Sequence, residues 1–474
     1  MSRTKIVATI GPKTNTAEAI RTLIHAGMDV ARLNGSHADL AWHRTTVDLL
    51  RTAAPDIPLL LDIPGRKIRT GALETDVSFV EGQDLVFTTD LKRAGRGRIP
   101  LNRSDVHEAT RAGMRIMADD GTITLTVVAV EGRDIRCRAE MSGTLGSHKG
   151  INVPGMHLSG ELFTDRDREL LTLAKQSGVD FVGVSFVESA AQVRAVRELT
   201  GSPWPQVIAK IETQAAVDHL EEIVAEADAL MIDRGDLATD TGLADLAILQ
   251  KHILQVARRA GKAVIVATEM LHTMIKNPTP TKAEVTDITN AVLDGCAATM
   301  LSGETAIGAY PVGAVTMMRQ IATAAEAHLQ SSLDAVSSQE RSRVPEVTAE
   351  AVAFICRSLP VTKIIAVTKQ GYAARAISAR QPRQAIVAVS NDQRAARSFN
   401  LLPGTEGVFV DVPFERGSLD HIPLCLRELW RRDKLTNNDL ILVCALAYPK
   451  SGNRMNLLQS HVVGDLVDAL GWTR

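Results

Sequence analysis

Eight short apolar runs, with helix-patterned segments between them, constrain this chain more than any other feature. They fall at residues 5–10, 29–34, 59–62, 181–186, 207–211, 229–232, 263–267 and 298–301. Runs this short and this apolar read as strands buried on both faces, the pattern of a parallel sheet. Strand and helix in alternation make βαβ units. Eight such units close into a (β/α)₈ barrel, the TIM-barrel architecture. Local signals agree: Thr16 and Glu18 offer a capped start to the first helix, and Gly27 stops it. Two stretches break the alternation. From about residue 71 to 154 the segments 84–88, 123–127 and 134–138 alternate or are β-branched, and a Glu131-Gly132 turn follows one of them. Beyond a long helix ending near Leu329, residues 331–347 are polar and weakly patterned, as a linker is. Four further apolar runs follow at 361–367, 385–389, 407–410 and 440–444. The expected organisation is a barrel from residues 1–70 and 155–335, an inserted small β-barrel domain at 71–154 acting as a lid, and a C-terminal α/β domain at 345–474.

A chain of 474 residues, 45% hydrophobic, can bury several cores. Its net charge of −2 argues against a non-specific nucleic-acid partner. The five cysteines show no paired spacing, so reduced thiols and a cytoplasmic location are expected. The N-terminus runs into the first strand without a signal-peptide pattern. No apolar run reaches the ~18 residues of a membrane span.

Polar residues gather where the strands end: Arg32, Asn34, Asp62, Lys210, Glu212, Asp236, Thr268 and Glu304. That end is the barrel face on which active sites are built. Lys210 and Glu212 lie two residues apart on an otherwise apolar strand, so both side chains point the same way. A cation and an anion at the mouth of a buried strand are costly unless paired or bound. One reading is a salt bridge that closes the strand. The other is an ammonium that meets a developing negative charge, beside a carboxylate that holds a metal. Charged groups converging from so many strands on one rim favour the second, because stability alone does not call for them.

The segment Ile208-Ala209-Lys210-Ile211-Glu212 resembles the signature around the catalytic lysine of the pyruvate kinases. Thr4-Lys5-Ile6-Val7-Ala8-Thr9-Ile10-Gly11-Pro12, Arg234-Gly235-Asp236-Leu237, Met274-Ile275-Lys276-Asn277-Pro278 and Leu301-Ser302-Gly303-Glu304-Thr305 are similar to further motifs of that family, in the same order. The resemblance covers almost the whole chain. It implies transfer of a phosphoryl group from phosphoenolpyruvate to ADP, giving pyruvate and ATP in glycolysis. It implies that Lys210, Arg32 and Thr268 are catalytic, that Gly235 and Asp236 bind substrate with them, and that Glu212 and Asp236 hold Mg²⁺ or Mn²⁺. Nucleotide contacts carry over to Asn34, Gly35, Ser36, His37, Arg69 and Lys149, and a homotetramer is implied.

Some positions depart from the family. Its K⁺ site matches Asn34, Ser36, Asp62 and a Thr that is Ile63 here, and the accompanying Glu is Lys67. The resemblance therefore implies a K⁺ site replaced by the Lys67 ammonium. Gly35 stands for a bulkier residue, Asp233 for an Ala and Glu269 for a Gln. The family's sugar-phosphate effector loop reads Thr368-Lys369-Gln370-Gly371-Tyr372-Ala373-Ala374, with fewer hydroxyls to cradle a phosphate. Two other readings stand beside an active kinase: a catalytically weak regulatory paralogue, and a Mg²⁺-dependent pyruvate aldolase or lyase on a related barrel.

Overall fold

The computed structural model describes residues 3–95, 97–119, 121–156, 162–329, 344–415, 418–446 and 455–473. Its centre is a closed barrel of eight strands: Lys5–Thr9, Val30–Asn34, Leu59–Ile63, Phe181–Val184, Gln206–Ile211, Ala229–Asp233, Ala263–Ala267 and Ala298–Leu301. Each pairs in parallel with its neighbours in chain order, and the last closes on the first, with Lys5 opposite Ala298. All eight sequence-predicted strands are present. The first helix, Ala17–Ala26, is capped by the Thr16 hydroxyl and ends at Gly27, whose φ of 121° suits glycine.

Strand period two divides the core. Ile6, Ala8, Ala31, Leu33, Leu59, Leu61, Val207, Ala209, Leu230 and Ile232 face outward, toward the helix layer. Val7, Val30, Leu60, Ile208 and Met231 face the lumen. One step further along the same face stand Thr9, Arg32, Asp62, Lys210 and Asp233. An apolar floor thus carries a polar layer above it, and the alternation dictates which residues enter that layer.

The insert is a seven-stranded sheet, with the antiparallel strands Ile123–Glu131 and Asp134–Ala139 joined by the turn at Gly132. A two-stranded ribbon stands beside it. The sheet has its own core around Phe87, Leu125 and Ile135. It curls as a half-barrel rather than closing. Its strand Ile68–Arg69 pairs with Gly150–Asn152, so the chain enters and leaves the insert on adjacent strands.

The C-terminal sheet has five strands in the order Thr405–Phe409, Ala385–Ser390, Lys363–Val367, Leu440–Ala445 and Leu457–Val462. The first four are parallel and the last is antiparallel. That fifth strand is missing from the sequence reading, because its LLQSHV segment lies on an edge and is half exposed. Most of the expected linker at 331–347 lies outside the described residues, but the helix Val344–Ser358 takes up its last positions. The C-terminal sheet packs under the end of the barrel opposite the polar layer. There Lys5 Nζ donates to Thr405 O at 2.7 Å, and the buried Asp180 accepts from Arg51 at 2.6 Å and from Arg397 at 3.0 Å.

Candidate active site

Lys210 is the centre of the polar layer. It is 5% exposed, and its ammonium lies 2.7 Å from Glu212, 3.0 Å from Asp233 and 3.7 Å from Asp62. It also donates to Ser185 Oγ at 3.0 Å. Burial alone would push this ammonium toward the neutral form, but the three carboxylates outweigh it and hold its pKa well above the ordinary lysine value. The cation is fixed in charge and position.

Arg32 lies beside it. Its Nε and Nη2 both reach Asp62 Oδ2, at 3.0 and 2.5 Å, and Nη1 donates to Thr9 Oγ1 at 2.9 Å. Asp62 Oδ1 is buried and accepts no hydrogen bond among the described residues. Glu212 Oε2 accepts from the Phe186 N–H at 2.6 Å, and Phe186 has a left-handed φ of 56°. Ser185 and Phe186 thus belong to the site, although the sequence marks them only as part of an apolar strand. The signal was a serine at the polar end of an apolar strand.

Glu212, Asp233 and Asp236 can each offer an oxygen such that all lie within 4.8 Å of one another. Burial leads in raising the Glu212 pKa, and the neighbouring Asp233 and Asp236 add to it, even against Lys210. Carboxylates crowded this way favour a cation among them, and three hard oxygen donors suit Mg²⁺ or Mn²⁺. The residues present fit a divalent ion. Of the two unusual acids, Asp233 joins this group, whereas Glu269 is exposed and does not belong to it.

Lys67 is found on the same group. Its ammonium bridges both oxygens of Asp236, at 2.6 and 2.8 Å. Three carboxylates therefore share two lysine ammoniums.

Thr268 does not cap a helix. The next helical turn, His272–Ile275, begins after Leu271. Thr268 itself has φ 66°, and Glu269 after it φ 53°. A left-handed conformation is strained for a β-branched residue. The strain turns the hydroxyl toward the site, where it accepts from Gly235 N at 3.1 Å and donates to Ala267 O at 2.7 Å. Gly235 and Asp236 lie in the first turn of the helix Arg234–Thr241. Arg234 holds the Thr268 carbonyl at 2.7 Å. Glu304 is structural: it accepts from Leu271 N at 3.1 Å and Ser302 N at 2.8 Å.

The remaining positions flank the mouth. Gly35 donates to Asp62 O at 2.8 Å, and a Cβ there would come within 2.5 Å of that oxygen, which accounts for the loss of a bulkier residue. Asn34 Oδ1 accepts from Ser36 N at 3.1 Å. The pKa of His37 is lowered by burial and by the nearby Arg69 and Arg32. Arg69 donates to His148 O at 3.1 Å, beside Lys149. The Lys149 ammonium is held by Asp119 at 2.8 Å, within the insert.

A cation fixed among carboxylates at a barrel mouth, next to an inserted sheet carrying further cations, defines an enzyme that stabilises anionic transition states. Residues 1–315 match the family profile described as "Pyruvate kinase, barrel domain", and 346–459 match "Pyruvate kinase, alpha/beta domain". A pyruvate kinase of Mycobacterium intracellulare is 35% identical over 476 residues, covering 98% of this chain and 99% of that protein. One from Bacillus licheniformis is 35% identical, over 98% of this chain and 81% of its own length. "Pyruvate kinase 2" of Synechocystis is 37% identical, over 87% and 71%. The chain belongs to the pyruvate kinase family, phosphotransferases that convert phosphoenolpyruvate and ADP to pyruvate and ATP.

Proposed function

We propose that Lys210, Arg32 and Thr268 carry the chemistry of this pyruvate kinase, and that Glu212 and Asp236, with Asp233, hold its divalent metal. The observation that supports this most is the Lys210 ammonium, buried and fixed among three carboxylates. Phosphoryl transfer spreads negative charge over the transferring oxygens, and catalysis consists mostly of positioning and of charge already in place. Lys210 and Arg32 offer two such cations in the same polar layer, both directed at Asp62 Oδ2. The bound metal would supply charge neutralisation between the phosphoryl oxygens and the rest of the substrate. Thr268 presents a hydroxyl where the enolate is protonated. Gly235 and Asp236 lie at a helix N-terminus, which favours the substrate carboxylate.

Asn34, Gly35, Ser36, His37, Arg69 and Lys149 form the nucleotide side. Lys149 would leave Asp119 when the insert closes over ADP and excludes water. The division into residues 1–70 and 155–335, 71–154 and 345–474 assigns that lid its limits. A cytoplasmic enzyme accords with five unpaired cysteines, all buried. A homotetramer accords with exposed apolar residues such as Leu243, Ile248, Ile307 and Phe354.

Independence from K⁺ belongs to the same proposal. Ile63 is fully buried and offers no hydroxyl, and Lys67 adds a tethered positive charge held by Asp236 near the metal group.

The metal assignment is tested by Glu212→Gln. The Mg²⁺ requirement should rise far more than the KM for ADP. Equal effects on both would indicate a general folding defect and count against the assignment.

A further inference from the structure

The loop of residues 35–38 leads from the strand Val30–Asn34 into the helix Leu40–Ala53. Its backbone is tied down at successive steps. Gly35 N donates to Asp62 O at 2.8 Å, Ser36 N to Asn34 Oδ1 at 3.1 Å and His37 N to Asn34 O at 3.2 Å. The two carbonyls that follow are held by side chains from outside the loop. His43 Nε2 donates to His37 O at 2.9 Å, and Arg166 Nη2 donates to Ala38 O at 2.9 Å. Those contacts fix the peptide groups on both sides of Ala38, which stands at a left-handed φ of 59°. A residue with a side chain keeps such a conformation only where its surroundings impose it. The side chains of Ser36 and His37, by contrast, are exposed.

Packing alone does not call for a histidine at position 43. The helix turns His43, Thr46, Val47 and Leu50 inward, and Val47 and Leu50 join the core between strands and helices. His43 is fully buried, with its ring edge-on to Trp42 at 5.2 Å. A leucine would fill that place. The imidazole instead brings two polar nitrogens into the core. Nε2 faces a carbonyl, which only accepts, so Nε2 carries the proton. Nδ1 is buried and has no hydrogen-bond partner among the described residues. Burial leads in lowering the pKa of the ring, against the bond to His37 O, and Arg166 adds to the lowering, so the ring is neutral. A buried nitrogen without a partner costs stability. What the ring gives in return is its hold on the His37 carbonyl. Side chains near a helix start lean back over the preceding turn, which brings residue 43 to the loop.

We propose that His43 is a positioning residue for the nucleotide: its Nε2–H, with Arg166 beside it, holds residues 37 and 38 in the strained turn that sets Ser36 and His37 toward ADP. This rests on the reading of residues 34–37 as part of the nucleotide side. His43 does not touch the nucleotide; it acts through the His37 carbonyl. Without that bond Ala38 relaxes out of its left-handed conformation, and part of the free energy of ADP binding goes into re-forming the turn. The effect falls on ADP, because the phosphoenolpyruvate contacts proposed above do not hang on residues 37 and 38.

The full chain tests this as wild type, His43→Leu, His43→Gln and His37→Ala, each followed by isothermal titration with Mg²⁺-ADP, by steady-state kinetics and by melting temperature. His43→Leu keeps the apolar packing and loses the donor. Its Kd and KM for ADP should rise about threefold to tenfold, the loss expected for one hydrogen bond. Its kcat and its KM for phosphoenolpyruvate should stay at the wild-type values, and it should melt no lower. His43→Gln returns an N–H to the place of Nε2 and should restore ADP binding. His37→Ala should also weaken ADP binding. A loss in His37→Ala with none in His43→Leu overturns the positioning role, and so does His43→Gln binding as weakly as His43→Leu. A lower melting temperature of His43→Leu, with kcat and both KM values affected alike, assigns the histidine to the fold instead. No loss in either His37→Ala or His43→Leu shows that the loop is not the nucleotide side, and the proposal falls with that reading.

Discussion

Asp233 is the residue at which this chain differs most instructively from its family. It points into the lumen because it stands two residues beyond Met231 on the same strand face. There it lies 3.0 Å from Lys210 and within reach of Glu212 and Asp236. Burial would raise its pKa, but Lys210 and then Lys67 outweigh burial and lower it, so the carboxylate is charged. Two roles are distinguishable. As a metal ligand, it adds a third charge to the site. As a partner of Lys210 alone, it only fixes the ammonium. Its oxygen lies within 4.8 Å of ligand oxygens of Glu212 and Asp236, which favours the first. Mn²⁺ binding to Asp233→Ala, followed by electron paramagnetic resonance without substrates, should be weaker by about tenfold or more. Unchanged Mn²⁺ affinity would leave Asp233 as a support for Lys210.

At the scale of elements, the loop that precedes the helix Tyr372–Ser378 decides a regulatory question. Thr368 Oγ1 already accepts from Gly371 N at 3.1 Å, and Ala373 and Ala374 are buried. A Cβ on Gly371 would come within 2.3 Å of the Phe399 ring, so the loop is closely packed. Titration with fructose 1,6-bisphosphate should leave the phosphoenolpyruvate response almost unmoved. A large left shift with loss of sigmoidicity refutes that. The strands were legible because burial on both faces leaves a continuous apolar run, and Lys210 and Glu212 were legible because charge interrupts one. The edge strand Leu457–Val462 was not, since half its residues face solvent and its pattern is that of a loop. Nor were Ser185, Phe186 or the bridge from Lys67 to Asp236. They depend on backbone turns and on contact across 169 residues of sequence, which no local pattern records.

For the whole molecule, the question is how the barrel supplies positive charge to a reaction between anions. Arg32 and Lys210 rise from its floor, Lys67 comes from the segment leading into the insert, Arg69 lies on the insert's strand Ile68–Arg69, and Lys149 immediately precedes the strand Gly150–Asn152 that pairs with it. The Lys67 ammonium, held by Asp236 beside the acidic group, is under the proposal above the fixed charge that stands in for a monovalent ion. Activity in a buffer free of K⁺ and Na⁺, with a tetraalkylammonium counter-ion, should therefore rise by less than about tenfold when KCl is added, a difference below ~1.4 kcal/mol. A larger rise would show that the orphan oxygen of Asp62 still serves a monovalent ion. The central claim is that the buried ammonium of Lys210 carries the transfer. It is tested most directly by pyruvate formation from phosphoenolpyruvate and ADP with Lys210→Ala, alongside Mn²⁺ binding to the same variant. Turnover should fall by about 10²–10³, as for loss of one preorganised transition-state contact, while the fold and Mn²⁺ binding persist; near-normal turnover in a folded, metal-binding variant would contradict the account.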